Sequence, residues 1–224
     1  MITPGTLQAV HVGKVARLQN AGRGGAGIST AYLKTPVTGP VAIHTLGIAG
    51  DEQGNLRVHG GPEKAVYGYP LSGYVAWRAE FPAVAALFGP GAMGENLVIV
   101  GQDESSIHIG DIIRCGSALL QVAQIREPCS TLGAVLGTTR VVRAMTRSGR
   151  CGWYYRVIEP GRVSPGDAHD VIERLNPDWP VARFADFAAG RSGTIAALEQ
   201  LATLPGLTPR WREKAAKAFA NQMA

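Results

Sequence analysis

The stretch "IIRCGSALLQVAQI", residues 112–125, holds two apolar runs, Ile112 to Cys115 and Ala118 to Ile125, joined by the pair Gly116-Ser117. A two-residue link headed by glycine is the pattern of a tight β-hairpin, because glycine reaches the positive φ such turns require. Both runs are short and neither repeats with a helical period, so both read as strands. The same texture extends outward. Asn96 to Val100 and Trp153 to Ile158 are further short apolar segments, and Pro160-Gly161 and Pro165-Gly166 are turn signals on either side of residues 162–164. Short strands cut by glycine and proline dominate residues 1 to about 174, which predicts a mainly β barrel or sandwich with antiparallel neighbours.

Two helices are expected to interrupt the strands and cover the barrel ends. One spans Leu71 to Phe81, with Leu71, Tyr74, Val75 and Phe81 on roughly one face; the other spans Thr139 to Met145, capped by Thr138 or Thr139. After Asn176-Pro177 the composition turns to Ala, Leu and Arg with helical spacing: Phe184 and Phe187, then Ile195, Leu198 and Leu201, then Trp211, Ala215 and Phe219. Breaks at 190–193 and 204–209 divide this part into three short helices, with Thr208-Pro209 reading as cap and first-turn proline. The expected organisation is a barrel domain, residues 1–176, followed by a small three-helix bundle, residues 177–224. So small a bundle has little core of its own and must dock on the barrel or on a second subunit, as in a homodimer.

The chain of 224 residues is long enough to bury a core without disulfides. Its three cysteines, Cys115, Cys129 and Cys151, are odd in number and lack CxxC spacing, which argues against a secreted disulfide framework and a four-cysteine zinc site. A reducing cytoplasm is the expected setting. The longest stretch free of Asp, Glu, Lys and Arg, residues 35–50, contains two prolines, so no membrane span is expected. Lys and Arg number 22 against 17 acidic residues, a formal charge of +5, of which +3 lies in residues 179–224. With aromatic residues at 7% and no basic run interleaved with them, a nucleic-acid partner is not expected.

Gly22 to Gly27 satisfies G-x-G-x-x-G, but Thr35-Pro36 leaves no room for the helix that a dinucleotide site requires, so the stretch reads as a loop. "GIAGDEQGNLRVHGGPEKAVYGYP", residues 47–70, crowds Asp51, Glu52, Arg57, His59, Glu63 and Lys64 around Gly60-Gly61. Paired glycines let backbone N–H groups approach a ligand, and Lys64 beside them favours an anion; an ordinary polar turn gives the same pattern. "GAMGENLVIVG", residues 91–101, places Glu95 and Asn96 at a strand entrance, suited to capping the turn or to bonding a heterocycle. Cys129 follows Pro128 and lies near Arg126. A close guanidinium favours the thiolate, whereas a free cysteine without one is usually buried and inert, and both readings stay open from spacing alone.

Seven motifs in order, "GDEQ" (50–53), "VHGGPEKAV" (58–66), "YP" (69–70), "GENL" (94–97), "IGD" (109–111), "EPC" (127–129) and "GWYYRVIEPG" (152–161), resemble the MOSC family, the domain named after the C-terminal part of molybdenum-cofactor sulfurases. The likeness is strongest to its YiiM-type bacterial branch, which also ends in three helices. The resemblance implies a β-barrel holding a molybdenum–pyranopterin cofactor (the molybdenum cofactor, Mo-molybdopterin), with Cys129 as the protein's ligand to the metal. It implies a cofactor-binding role for Lys34, Lys64, Arg126 and the His59-Gly60-Gly61 turn, with Thr30 and Asn96 beside them. Asp51 is implied as a proton donor or a cofactor-orienting carboxylate. Relatives often carry histidine where this chain has Tyr67, which leaves a hydrogen-bonding phenol in place of an imidazole.

The activity implied is reduction of N-hydroxylated compounds, such as 6-hydroxylaminopurine, at the molybdenum. The chain has no nicotinamide or flavin motif, so a separate NAD(P)H-linked reductase is the expected electron donor. The alternative is a module that binds the cofactor, or carries sulfur on Cys129 as a persulfide, without turnover of its own. A cysteine hydrolase pairing Cys129 with His59 would require the two side chains within hydrogen-bond reach.

Overall fold

The computed structural model describes residues 3–19, 21, 25–54 and 60–223. In chain order its strands are β1 (Gly5–Val12), β2 (Ala16–Leu18), β3 (Ile28–Thr30), β4 (Thr35–Val37), β5 (Val41–His44), β6 (Gly47–Ile48), β7 (Val66–Pro70), β8 (Leu97–Val100), β9 (Ile112–Cys115), β10 (Ala118–Ile125), β11 (Trp153–Glu159), β12 (Gly161–Val163) and β13 (Ala168–Glu173). The helices are α1 (Leu71–Glu80), α2 (Ser130–Val135), α3 (Arg140–Ser148), α4 (Val181–Ala188), α5 (Ile195–Thr203) and α6 (Pro209–Met223).

Seven strands close a barrel in the order β13-β9-β10-β11-β7-β8-β1, and β1 returns to β13 through Gly5 opposite His169. Closure pairs every strand edge, which removes the unpaired groups an open sheet would expose. The hairpin at residues 115–118 forms as the sequence predicts: Cys115 pairs with Ala118, and Gly116 sits at φ 54. A Cβ there would meet the Arg162 carbonyl oxygen at 2.3 Å, so glycine is required twice over. β10 is buried at seven of its eight positions, which is why it reads as a continuous apolar run rather than an alternating one. Its two glutamines have partners: Arg156 Nη1 donates to Gln121 Oε1 at 2.6 Å, and Gln124 Nε2 donates to the Glu63 carbonyl at 3.2 Å.

Two expectations are corrected. β7 and β8 are neighbours but parallel, because residues 71–96 supply the crossover that a parallel pair needs, with α1 inside it. In α1 the inward residues are Tyr74 and Trp77, both fully buried, and Trp77 stacks on Phe88 at 6.1 Å. Phe81 follows on that side, while Val75 is 61% exposed and points outward. The inward face thus follows i, i+3 and i+7 from Tyr74.

α4, α5 and α6 lie on the barrel. Phe184 meets Trp211 edge to face at 5.2 Å, and Leu198, Leu201, Leu204 and Leu207 join the same apolar core as Leu120 and Val122. Thr208 N–H donates to the Ala123 carbonyl at 3.2 Å, and Ile109 N–H donates to the Trp179 carbonyl at 2.9 Å. Among the described residues no helix is long and apolar enough to cross a membrane.

Candidate functional site

The barrel strand β10 ends at Ile125, and the chain then runs through Arg126, Glu127 and Pro128 to Cys129, the N-cap of α2. The sequence missed α2, a six-residue helix containing Gly133; that glycine lets it pack against Thr139 and Val142 of the α3 region. The turn from strand to helix places Cys129 on a cavity of about 450 Å³, within the range of small-molecule sites.

Arg126 lies beneath it, 3% exposed, with its guanidinium 5.9 Å from the rings of both Tyr32 and Tyr67. Arg126 Nη2 donates to Cys129 Sγ at 3.3 Å. Burial alone would push the Cys129 thiol up, but the Arg126 charge and the Leu132 N–H outweigh it and hold the thiol below its ordinary value. Cys115 is pushed by burial up to about 12, and burial raises Cys151 as well, so neither is a thiolate. The thiol of Cys129 is half-buried, lines the cavity and lies within hydrogen-bond reach of the Arg126 guanidinium, the condition that favours the thiolate over the inert-core reading. Replacing Arg126 with Met is expected to move the pH–rate profile for alkylation of Cys129 to higher pH, read by iodoacetamide labelling; an unmoved profile would remove Arg126 as the cause.

A second node lies across the cavity. Asp51 Oδ1 accepts from Gly13 N–H at 2.7 Å and pairs with Lys34, and its Oδ2 accepts from Asn96 Nδ2 at 2.9 Å. Lys34 and Asp51 side chains are 7% and 4% exposed. Burial pushes the Lys34 amine down and Asp51 opposes this. Asn96 also donates to the His11 carbonyl at 3.2 Å and accepts from Tyr67 N–H at 3.1 Å, so both of its amide protons serve the protein. Asp51 therefore acts as a fastener of Lys34 and Asn96: its three partners all donate to it. Glu95 caps its turn, accepting from Met93 N–H at 2.9 Å, from Gly91 N–H and from the Tyr74 hydroxyl, while burial pushes its carboxyl up.

The "GGPEK" stretch forms a single turn of 3-10 helix, Pro62–Lys64, entered by Gly60 and Gly61 at φ 94 and 77. Lys64 and Gly60 line the cavity, as do Thr30, Lys34, Asp51, Tyr67, Asn96, Arg126 and Cys129. Gly61 is not on its wall, and His59 lies outside the described residues, as do residues 22–24 of the glycine-rich loop. The Tyr67 hydroxyl donates to the Cys151 carbonyl at 2.9 Å, so its hydrogen bond goes to the barrel. Sequence reasoning missed Tyr32 and Tyr154, which also line the cavity. The strand period could have found Tyr154: in "WYY" of β11, Trp153 and Tyr155 are fully buried and Tyr154 faces the other way, opposite Tyr67, with ring centroids 5.1 Å apart.

Among the described residues no group of three or more His, Cys, Asp and Glu could hold a metal ion. One thiol beside a guanidinium, three cationic side chains and three tyrosine rings instead fit a group that brings most of its own metal ligands, an anionic tail and a flat ring system.

Residues 55–170 match the MOSC domain family. Protein YiiM of Escherichia coli strain K12 is 37% identical over 185 residues, 83% of this chain and 82% of that protein. A protein of Gibberella moniliformis named "Reductase" is 34% identical over 203 residues, 90% of this chain but 35% of its own length, so this chain spans about a third of it. The crystal structure of YiiM from Escherichia coli superposes with a TM-score of 0.78 at 30% identity, covering 99% of this chain and 94% of that one. That of YiiM from Geobacillus stearothermophilus also gives 0.78, at 29% identity, covering 96% and 100%. With more than half the chain matched and close relatives aligned nearly end to end, the protein belongs to the MOSC domain family.

Proposed function

We propose that the chain is a molybdenum-cofactor-dependent reductase of N-hydroxylated compounds such as 6-hydroxylaminopurine. The observation that carries this reading is the Cys129 thiol, held low by Arg126 at the wall of a cavity that also presents Lys64. MOSC domains are linked to the molybdenum cofactor. When bound, that cofactor would supply the two-electron centre at which the N–OH oxygen is removed.

The chain's own residues would do the rest. Cys129 is the thiolate ligand and Arg126 keeps it ionised. Arg126, Lys64, Lys34 and Gly60 receive the anionic tail, with Thr30 beside them. Asp51 fixes Lys34 and Asn96, so of the two roles expected for it the orienting one is favoured. Tyr32, Tyr67 and Tyr154 flank flat rings.

Turning R–NHOH into R–NH2 and water consumes two electrons and two protons. We assign the electrons to a separate NAD(P)H-linked reductase; the relative named "Reductase", two thirds of which lies beyond the match, supports a linked redox module. The free thiols fit a reducing cytoplasm, and division of the chain after residue 176 into barrel and three-helix module belongs to the same reading.

The test is reduction of 6-hydroxylaminopurine, driven by reduced viologen, by protein made in hosts with and without molybdenum-cofactor synthesis. Turnover confined to the first preparation is expected. Bound cofactor, or cyanide-releasable sulfur on Cys129, without turnover would replace this reading with the carrier one.

A further inference from the structure

Strand β11 alternates. Trp153, Tyr155 and Val157 are buried in the core, so Tyr154 and Arg156 share the other face, and Tyr154 lines the cavity. Arg156 stands two residues further along that face, opposite Gln121 of β10. Its guanidinium reaches three elements: Nη1 donates to Gln121 Oε1 at 2.6 Å and to the Gly206 carbonyl at 2.9 Å, and Nη2 pairs with the Glu63 carboxylate.

Glu63 belongs to the 3-10 turn Pro62–Lys64, and the barrel holds it twice. Besides the Arg156 pair, Gln124 Nε2 donates to the Glu63 carbonyl at 3.2 Å. The Arg156 and Glu63 side chains are 22% and 35% exposed, which shelters the pair more than an open surface ion pair. Glu63 is off the cavity wall, whereas Gly60 and Lys64, on either side of it, are on the wall. The turn is closed by a hydrogen bond from Lys64 N–H to the Gly61 carbonyl at 3.0 Å and is entered through two glycines, which have the most backbone freedom to lose. What fixes it is therefore its seat on β10 and β11.

We propose that Arg156 is a positioning residue of the site: by holding Glu63 against β10 and β11 it fixes the turn that brings Gly60 and Lys64 to the cavity wall, where they meet an anionic group of the ligand. Through the Gly206 carbonyl the same guanidinium ties this turn to the segment between α5 and α6. The inference rests on the cavity being an anion site, as proposed above, but its test needs no molybdenum.

Two readouts are taken on the full-length chain freed of cofactor. One is amide hydrogen exchange of residues 60–66, followed by mass spectrometry; the other is the dissociation constant of inorganic phosphate, followed by the Gly60 and Lys64 amide resonances. Arg156→Met is expected to speed exchange in residues 60–66 while that of β10 holds, and to raise the phosphate Kd on the order of tenfold. Glu63→Ala breaks the same link from the turn, so it should reproduce both effects, and the double variant should be no worse than either single one. Arg156→Lys, which keeps a charged contact with Glu63, should recover part of the phosphate affinity. A role confined to barrel stability would instead lower the melting temperature and leave the phosphate Kd alone. A phosphate Kd unchanged in Arg156→Met, additive losses in the double variant, or wild-type turn resonances that ignore phosphate would overturn the proposal. Phosphate binding that follows Arg156 and Glu63 in this way, in a protein that takes up no molybdenum cofactor, would leave the positioning role standing and remove the cofactor reading alone.

Discussion

Cys129→Ser is expected to reduce bound molybdenum and the reduction of N-hydroxylated substrates to background while the barrel stays folded. Three features argue for that separation. Cys129 occupies the N-cap of α2 without a side-chain cap bond of its own, and serine is a favoured N-cap residue, so the helix start is not endangered. The thiol is half-buried and meets Arg126 at 3.3 Å, a contact that a hydroxyl can accept in its place. Stability should therefore change by less than about 1 kcal/mol. The chemistry, by contrast, changes in kind: a serine hydroxyl stays protonated at neutral pH even beside a guanidinium, and oxygen is a hard donor where the proposed centre needs a soft one. Loss of outer partners of a metal ligand costs about 10- to 100-fold, so loss of the ligand itself should exceed that. Metal analysis beside a melting curve is the measurement; full activity in a folded Cys129→Ser protein would sink the mechanism.

The same residues show how far the amino-acid order reveals the site. Arg126 and Cys129 are three positions apart, and their contact was readable as a condition: if close, then thiolate. Lys34, Asp51 and Asn96 meet across 62 positions because β8, β1 and β4 are neighbours and Asp51 is bonded to Gly13 at the end of β1, and no local spacing announces that node. Motif order pointed to these residues, but only the closed barrel explains why Asp51 is a fastener. Tyr32 escaped notice because it lies just beyond β3 in a stretch with no period, beside a polar loop. Fold elements failed for comparable reasons. The parallel β7–β8 pair depends on a crossover spanning residues 71–96, which hairpin signals cannot report. α2 is too short and glycine-bearing to carry a helical period, and its stability comes from packing on the α3 region. The glycine hairpin and the buried run of β10 were legible because turn chemistry and burial on both faces act locally.

Glu104 was not singled out by any motif, yet the second large effect is expected there. It is 8% exposed, and its Oε1 accepts from Gly152 N–H at 2.8 Å. That turn serves the cavity from behind: the Cys151 carbonyl accepts from the Tyr67 hydroxyl, and the Gly152 carbonyl accepts from Arg126 N–H at 3.4 Å. Burial raises the Glu104 carboxyl to about 7. The folded pKa lies above the unfolded one, so the native state holds more protons between about 4.5 and 7. Stability associated with this group is thus fully present below the unfolded pKa and is lost as pH rises through the folded one, a decline of roughly 3 kcal/mol. Buried His11, His108 and His169, which burial pushes down, tilt the curve the opposite way at lower pH. The informative quantity is therefore the difference between variant and wild type. Glu104→Gln keeps an acceptor for Gly152 N–H and cannot ionise, so it should melt about 6–12 °C above wild type at pH 8 and near it at pH 5. A variant whose melting temperature parallels that of wild type across this range would show that Glu104 stays ionised throughout, and would leave the turn behind Arg126 and Tyr67 without a pH-sensitive support.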